Sequence, residues 1–254
     1  MAHYQQLQFI DEVRSAFPEW FENKKVLEIG SSDVNGSVRK FFKNCEYVGS
    51  DIAEGPGVDL VCQGQEIDKP SGHFDVVISC ECFEHNKYWL ETFTNMLRML
   101  KPGGLCIITC ATTGRGEHGT MRMMRLGASR WVGLWSDYYQ NLSMKDFTEK
   151  VNLDNHLMRY AFFKNIYSKD LYLVGVKNGT VDVELDARLG RLKNAVGQIK
   201  TEGRITSRKE LTTHLNYWRK WIFAALVGEK VYQNTRYSYK IWKRSVRKRI
   251  SPPG

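Results

Sequence analysis

Residues 26–36 read V-L-E-I-G-S-S-D-V-N-G. An apolar strand runs into a glycine, two serines and an aspartate, and Gly36 follows six positions after Gly30. Such a stretch opens a nucleotide-binding sheet, and its loop narrows the choice of nucleotide. A dinucleotide loop has the form G-x-G-x-x-G, which lets backbone N–H groups and a helix N-terminus approach a pyrophosphate. Here Ser32 stands where the middle glycine would be, and Glu28 and Asp33 put two anions where a dianionic phosphate would sit. The local charge suits a nucleoside-like ligand that is itself positive.

Outward from this stretch, strands and helices alternate. Leu7, Ile10, Val13 and Phe17 recur at helical spacing and predict an N-terminal helix ending near Pro18. After the strand at 25–30 comes an expected helix with Val38, Phe41 and Phe42 on its buried face. Further strands are expected at 46–52, 57–62, 74–80 and 104–110, with a helix over 88–100 stopped by Lys101-Pro102-Gly103-Gly104. Apolar strands joined by helices mean a parallel sheet covered on both faces. Ser143 and Asp146 form a capping box that opens another helix. The strands at 157–163 and 171–176 are joined by only seven residues, so they pair as an antiparallel hairpin. The expected fold is α/β: a doubly wound, mostly parallel seven-stranded sheet with a terminal antiparallel hairpin, plus a helical C-terminal extension. About 32 residues separate the fifth strand from the capping box, and so long a connection inside a compact domain is usually functional.

Composition bounds the rest. The chain of 254 residues can bury one substantial core plus an appendage. The N-terminal residues lack the basic and apolar regions of a signal peptide, and no apolar run reaches the length of a membrane span. Six cysteines, at 45, 62, 80, 82, 106 and 110, include no C-x-x-C pair, so buried reduced thiols, no metal and a cytoplasmic setting are expected. Residues 178–254 hold 17 basic and 6 acidic side chains, a net of +11, while 1–177 hold 20 and 22, a net of −2. That shift marks an expected boundary between a domain at 1–177 and a basic, aromatic-rich helical extension at 178–254.

In a doubly wound sheet the ligand lies beyond the carboxyl ends of the strands, where the connection order reverses. The candidates there are Glu28 to Gly36, then Asp51, then Gln63 and Gly64, then Ser79 to His85. Asp51 lies about twenty residues beyond the glycine loop, where an acid can accept from both hydroxyls of a ribose.

The ordered set V-L-E-I-G-S-S-D-V-N-G, Y-V-G-S-D-I, F-D-V-V-I-S-C-E-C-F-E-H and L-K-P-G-G resembles the class I S-adenosylmethionine-dependent methyltransferases over roughly 20–177. The positive nucleoside would then be the sulfonium cofactor. The resemblance implies that Gly30, Ser31, Ser32 and Asp33 pack against its methionine moiety and that Glu28 orients the loop and the amino group. It makes Asp51 the ribose acid, with Ile52 beside the adenine, and puts Gln63 and Gly64 at the adenine amino group. Ser79, Cys80 and Glu81 would face the methyl group. Gln63 departs from the acid that is common there, and Ser32 from the second glycine of the loop.

The acceptor side is read from the long insertion. His118, in G-E-H-G-T, is flanked by glycines that let the backbone approach a ligand. His118 and His85 are the candidate catalytic bases, since a hydroxyl or ammonium acceptor must lose a proton. A surface histidine and a helix-start cap are the structural alternatives. Trp131, Trp135, Tyr138 and Tyr139 either pack the insertion down or wall the substrate. No D-P-P-Y or N-P-P-Y follows the fourth strand, which argues against methylation of exocyclic amino groups in nucleic acid. The expected acceptor is a small molecule, with a sugar or surface-glycan precursor suggested by the E-H-G-T insertion. An RNA methyltransferase and a non-catalytic membrane-surface or oligomerising protein are the alternatives. The stretch 207–250 carries Trp218, Trp221, Phe223, Tyr232, Tyr237, Tyr239 and Trp242 with Lys243, Arg244, Arg247, Lys248 and Arg249 near its end. Such a stretch can meet an anionic membrane, grip RNA or pack on a second subunit.

Overall fold

The computed structural model describes residues 3–34, 36–124, 137–179, 184–199 and 207–250. Its centre is a seven-stranded sheet of order β3-β2-β1-β4-β5-β7-β6. The strands are β1 (Lys25–Ile29), β2 (Glu46–Asp51), β3 (Leu60–Val61), β4 (Phe74–Cys80), β5 (Leu100–Ala111), β6 (Leu157–Asn165) and β7 (Asp170–Lys177). β1 pairs in parallel with both β2 and β4, and β7 runs antiparallel to β5 and β6. The fold and the terminal hairpin are those read from the sequence.

Side-chain alternation divides the core between the two faces. Val76, Ile78 and Cys80 of β4 face one way, toward helix α1 (Tyr4–Ala16) and helix α5 (Leu185–Val196). Phe9, Ile10 and Val13 of α1 and Leu185, Leu189, Leu192 and Val196 of α5 close that side. Leu27, Ile29 and Val77 face the other way, toward α2 (Trp89–Met99) and α4 (Met144–Val151). There Phe93, Met96 and Phe147 are fully buried, and truncating such a phenylalanine typically costs about 3–5 kcal/mol. The Ser143 amide and hydroxyl both donate to Asp146, at 2.8 and 2.7 Å, so α4 starts at the expected capping box.

Two elements differ from expectation. The segment after β1 makes only a short 3₁₀ turn, Val38–Phe41, instead of an α-helix. Ser37 caps it, and Asn44 at φ 51° turns the chain into β2 before a second turn can form. Val38 is buried as expected, and Phe42 stacks on Phe21 at 4.5 Å. The third strand shrinks from 57–62 to Leu60–Val61 because Gly57 takes φ +83° and Asp59 spends its carboxylate on the Gly49 amide, at 2.8 Å.

Chain order reverses across β1, with β2 and β3 on one side and β4 and β5 on the other. That opens a crevice over the carboxyl ends of β1 and β4. Above it lie the insertion, which holds α3 (Met121–Met124), and two long helices, α6 (Ser207–Val227) and α7 (Glu229–Ile250). Among the described residues no helix is long and apolar enough to cross a membrane.

Candidate active site

The crevice holds a cavity lined by Ile29, Gly30, Ser32, Asp51, Ile52, Gly64, Glu81, Cys82 and His85, all within the candidate stretches singled out in the sequence, and by Ser50, Cys62 and Asn86, which were not. Gly30 sits at φ +80°, and a Cβ there would fall 2.5 Å from Cys82 Cβ, so only glycine lets the loop close on the strand-four turn. The Asp51 carboxylate accepts from the amides of Ser32 (3.2 Å) and Ile52 (2.7 Å). Those bonds use half of its acceptor capacity and fix the rest toward the cavity rim. Ser31 is buried beside it with a hydroxyl that has no partner among the described residues.

The remaining expected cofactor residues do not line the cavity. Asp33 braces the loop, accepting from the Gly36 amide at 2.9 Å. Gln63 spends its amide on Glu66 and Gln65. The Ser79 hydroxyl donates to the Ile29 carbonyl at 2.9 Å and ties β4 to β1. Cys80 lies in the core on the α1 face, with burial pushing its thiol up. Glu28 is only 4% exposed and accepts from the Tyr47 hydroxyl at 2.7 Å. Burial, partly offset by that bond, raises its pKa to about 7.

Beyond β4 the chain makes a left-handed turn at Glu81, φ 51°, and a short 3₁₀ turn, Phe83–His85. This brings His85 under the insertion. Its ring meets that of His118 edge to face at 5.1 Å, and Tyr139 packs on both, at 5.3 and 5.1 Å. The two sequence-predicted histidines are therefore one cluster. Gly119, at φ +69°, makes this possible, since a Cβ there would come 3.0 Å from the His85 ring. Burial lowers both imidazoles, His85 to about 3 with help from His118. His118 Nδ1 lies 3.2 Å from the Gly116 carbonyl, which places the proton on Nδ1 and leaves the Nε2 lone pair open. Trp131 and Trp135 lie outside the described residues.

A buried charge network supports this cluster. Arg115 pairs with Glu81 at 2.9 Å and with Asp170, and His3 meets Asp170 at 2.9 Å. Burial alone would lower the Arg115 pKa, but Glu81 and Asp170 outweigh it and hold the guanidinium charged. Asp170 likewise stays below the usual carboxylate range, because bonding to His3 and the charge of Arg115 outweigh its burial.

Helix α7 then locks the insertion from above. Gln233 accepts from the Glu117 amide (2.8 Å) and donates to the Arg115 carbonyl (2.8 Å), while the Tyr232 hydroxyl donates to the Gly114 carbonyl (2.9 Å). Asn141, in turn, donates to the Arg115 carbonyl and to Glu229.

The sequence model of a family described as methyltransferase domain matches residues 1–157. The chain belongs to that family. Its methyltransferase domain uses S-adenosylmethionine, and the cavity suits that cofactor: a carboxylate at the end of β2, a glycine cradle at Gly30 and an acid, Glu81, facing the crevice. The chain is also 25% identical over 266 aligned positions to prosolanapyrone synthase of Alternaria solani, a match covering 84% of this chain. It spans about a tenth of that curated relative. Among solved structures, a 1,6-didemethyltoxoflavin N1-methyltransferase of Burkholderia thailandensis is 14% identical over 68% of this chain and 79% of its own, with a TM-score of 0.46. The N-methyltransferase NodS of Bradyrhizobium japonicum is 13% identical over 68% and 86%, with a TM-score of 0.44. Both are described with S-adenosylhomocysteine bound.

Proposed function

We propose that this methyltransferase domain methylates a hydroxyl of a small, polar acceptor, with a sugar or surface-glycan precursor as the leading class. The observation that carries the reading is the His85–His118–Tyr139 cluster, set at the edge of the cofactor cavity by the turn after β4. Beside it opens a groove of about 1110 Å³ lined by Tyr138, Tyr139, Tyr237, Asn141, Glu117 and Arg122, among others. Aromatic faces cover the apolar side of a sugar ring, while amides and charged groups bond its hydroxyls, so this lining suits a polyhydroxyl compound.

Bound at Asp51 and the Gly30 loop, S-adenosylmethionine supplies an electrophilic methyl group. The residues of this chain do the rest. Tyr139 and the groove orient the acceptor, and His118 Nε2 offers a lone pair to the departing proton. His118→Ala should lower turnover by about 10²–10⁴ while cofactor affinity holds. A screen of sugars by cofactor turnover tests the acceptor class; turnover only with carbon or amine acceptors overturns it.

We also infer where the domain works. On α6, Leu211, Leu215, Trp218 and Ile222 recur at spacings of four and three and are all exposed, on the side away from buried Tyr217 and Ala224. The extension 178–254 also carries a net charge of +11, with Lys230, Lys243 and Arg244 exposed on α7, and apolar and basic side chains together suit an anionic membrane surface.

A further inference from the structure

Glu84 lies directly beneath the histidine cluster, fully buried, and neither carboxylate oxygen has a hydrogen-bond partner among the described residues. A buried carboxylate without a donor is costly, and such groups are matched by a proton donor, an ion pair or a metal. The nearby cation does not serve it, because Arg115 binds Glu81 and Asp170. What faces Glu84 is another acceptor. His118 Nε2 lies 3.9 Å from Glu84 Oε1 and 3.9 Å from Glu81 Oε2, and its Nδ1 is turned to the Gly116 carbonyl. Glu81 Oε2 is taken by Arg115, so the His118 Nε2 lone pair and the Glu84 carboxyl, raised well above the ordinary range by burial and by Glu81, are left facing each other.

We propose that Glu84, His85 and His118 bind a divalent cation of the zinc type, which activates the acceptor hydroxyl. One ligand atom from each of the three lies within 4.8 Å of the others. Donors around a tetrahedral zinc stand about 3.3 Å apart, so closing on the ion draws His118 Nε2 and Glu84 Oε1 together by only about half an ångström. Two histidines and one glutamate leave a fourth position open, the pattern of catalytic zinc. The Gly116 carbonyl plays the part of the backbone acceptor that commonly fixes a ligating histidine through its other nitrogen. The cation deepens the reading given above and rests on it: the acceptor must reach His85 and His118. In the step, the acceptor O–H bond breaks and its proton leaves to solvent. The oxygen bonds the methyl carbon, and the S–CH3 electron pair stays on sulfur as a neutral thioether. No oxidant or reductant is needed. By lowering the pKa of the hydroxyl the bound ion takes over the task given to His118 above, and His118 Nε2 then serves as its ligand in place of the base.

The test is direct metal binding to the full-length protein after dialysis against a chelator. Calorimetry with Zn2+ should show one ion per chain, and Co2+ should give the visible bands of a tetrahedral site. Glu84→Gln and His118→Ala should each weaken binding by more than about a hundredfold, since outer-shell changes alone cost 10–100-fold. Cofactor affinity serves as the check that both variants fold. A wild-type protein that binds neither ion, or variants that bind as tightly as wild type, overturns the metal site. If turnover of a hydroxyl acceptor then survives chelator and is lost in His118→Ala, the methyl-transfer reading stands without the metal. If the ions bind but no hydroxyl acceptor is turned over, the metal site stands and that reading falls.

Discussion

The hydroxyl of Tyr232, on α7, donates to the carbonyl of Gly114 at 2.9 Å, across 118 positions of sequence. Gln233, its neighbour, bonds both sides of the same loop, at Arg115 and Glu117. The basic extension therefore holds the segment that presents His118. Deleting 207–254 should leave cofactor affinity close to wild type and reduce turnover sharply. Gln233→Ala should give a milder version, with a loss of about 1–3 kcal/mol in stability from orphaned buried groups. Calorimetry and turnover on the same preparations check both. Full activity in the truncated protein would show that the loop holds itself.

Asp51 should hold the ribose. A charged acceptor is worth about 1.5–3 kcal/mol, so Asp51→Ala should weaken the cofactor by about tenfold to a hundredfold. Titration of the folded variant with S-adenosylhomocysteine decides it, and unchanged affinity refutes the assignment.

At Gly30 the constraint is steric. Alanine must adopt φ +80° and place its Cβ 2.5 Å from Cys82 Cβ. Gly30→Ala should cost about 1–3 kcal/mol of stability and impair cofactor binding. Gly30→Ala combined with Cys82→Gly removes the clash but not the strain, so it should recover only part of the loss in thermal unfolding.

Glu28 makes stability depend on pH. Its folded pKa is about 7 against an ordinary 4.5, so between those values the folded state binds the extra proton. Stability falls as pH rises through that window, by about 3 kcal/mol in total, and the contribution is complete below pH 4.5. Glu28→Gln should therefore flatten the dependence, matching wild type at low pH and exceeding it above pH 7. Urea unfolding across that range is the measurement; parallel curves for the two proteins contradict it.

For the outer face of α6, the protein should bind vesicles rich in anionic lipid, and the binding should weaken with salt. Leu226→Glu, at a position 80% exposed, should reduce it without affecting turnover of a soluble acceptor. Sedimentation with vesicles gives the answer, and a dimer broken by Leu226→Glu without lipid binding assigns the face to a second copy.

Much of this site was legible because its parts are local. Strand, turn and acid follow one another in V-L-E-I-G-S-S-D and Y-V-G-S-D-I, so the crevice could be assembled from short stretches. E-H-G-T revealed His118 because glycine flanks it, and the structure shows Gly119 yielding room for His85. The charge network has no such local mark. His3, Arg115 and Asp170 come from a helix cap, an insertion and the start of β7, and no spacing relates them. Asp170 carried a faint signal, a charge opening an apolar strand, since a buried charge requires a partner. Glu28 shows the opposite lesson: alternation with cavity-facing Ile29 already turns it toward the other face of the sheet.

The clamp by α7 also has a consequence in time. On the ribosome, the crevice residues from Gly30 to His85 and the loop that carries His118 emerge well before Tyr232 and Gln233, which hold that loop down. A growing chain can thus pass through a stage in which the donor's berth is formed while the acceptor's side is still ajar. If the truncation behaves as expected above, competence for transfer arrives only when translation has supplied α7.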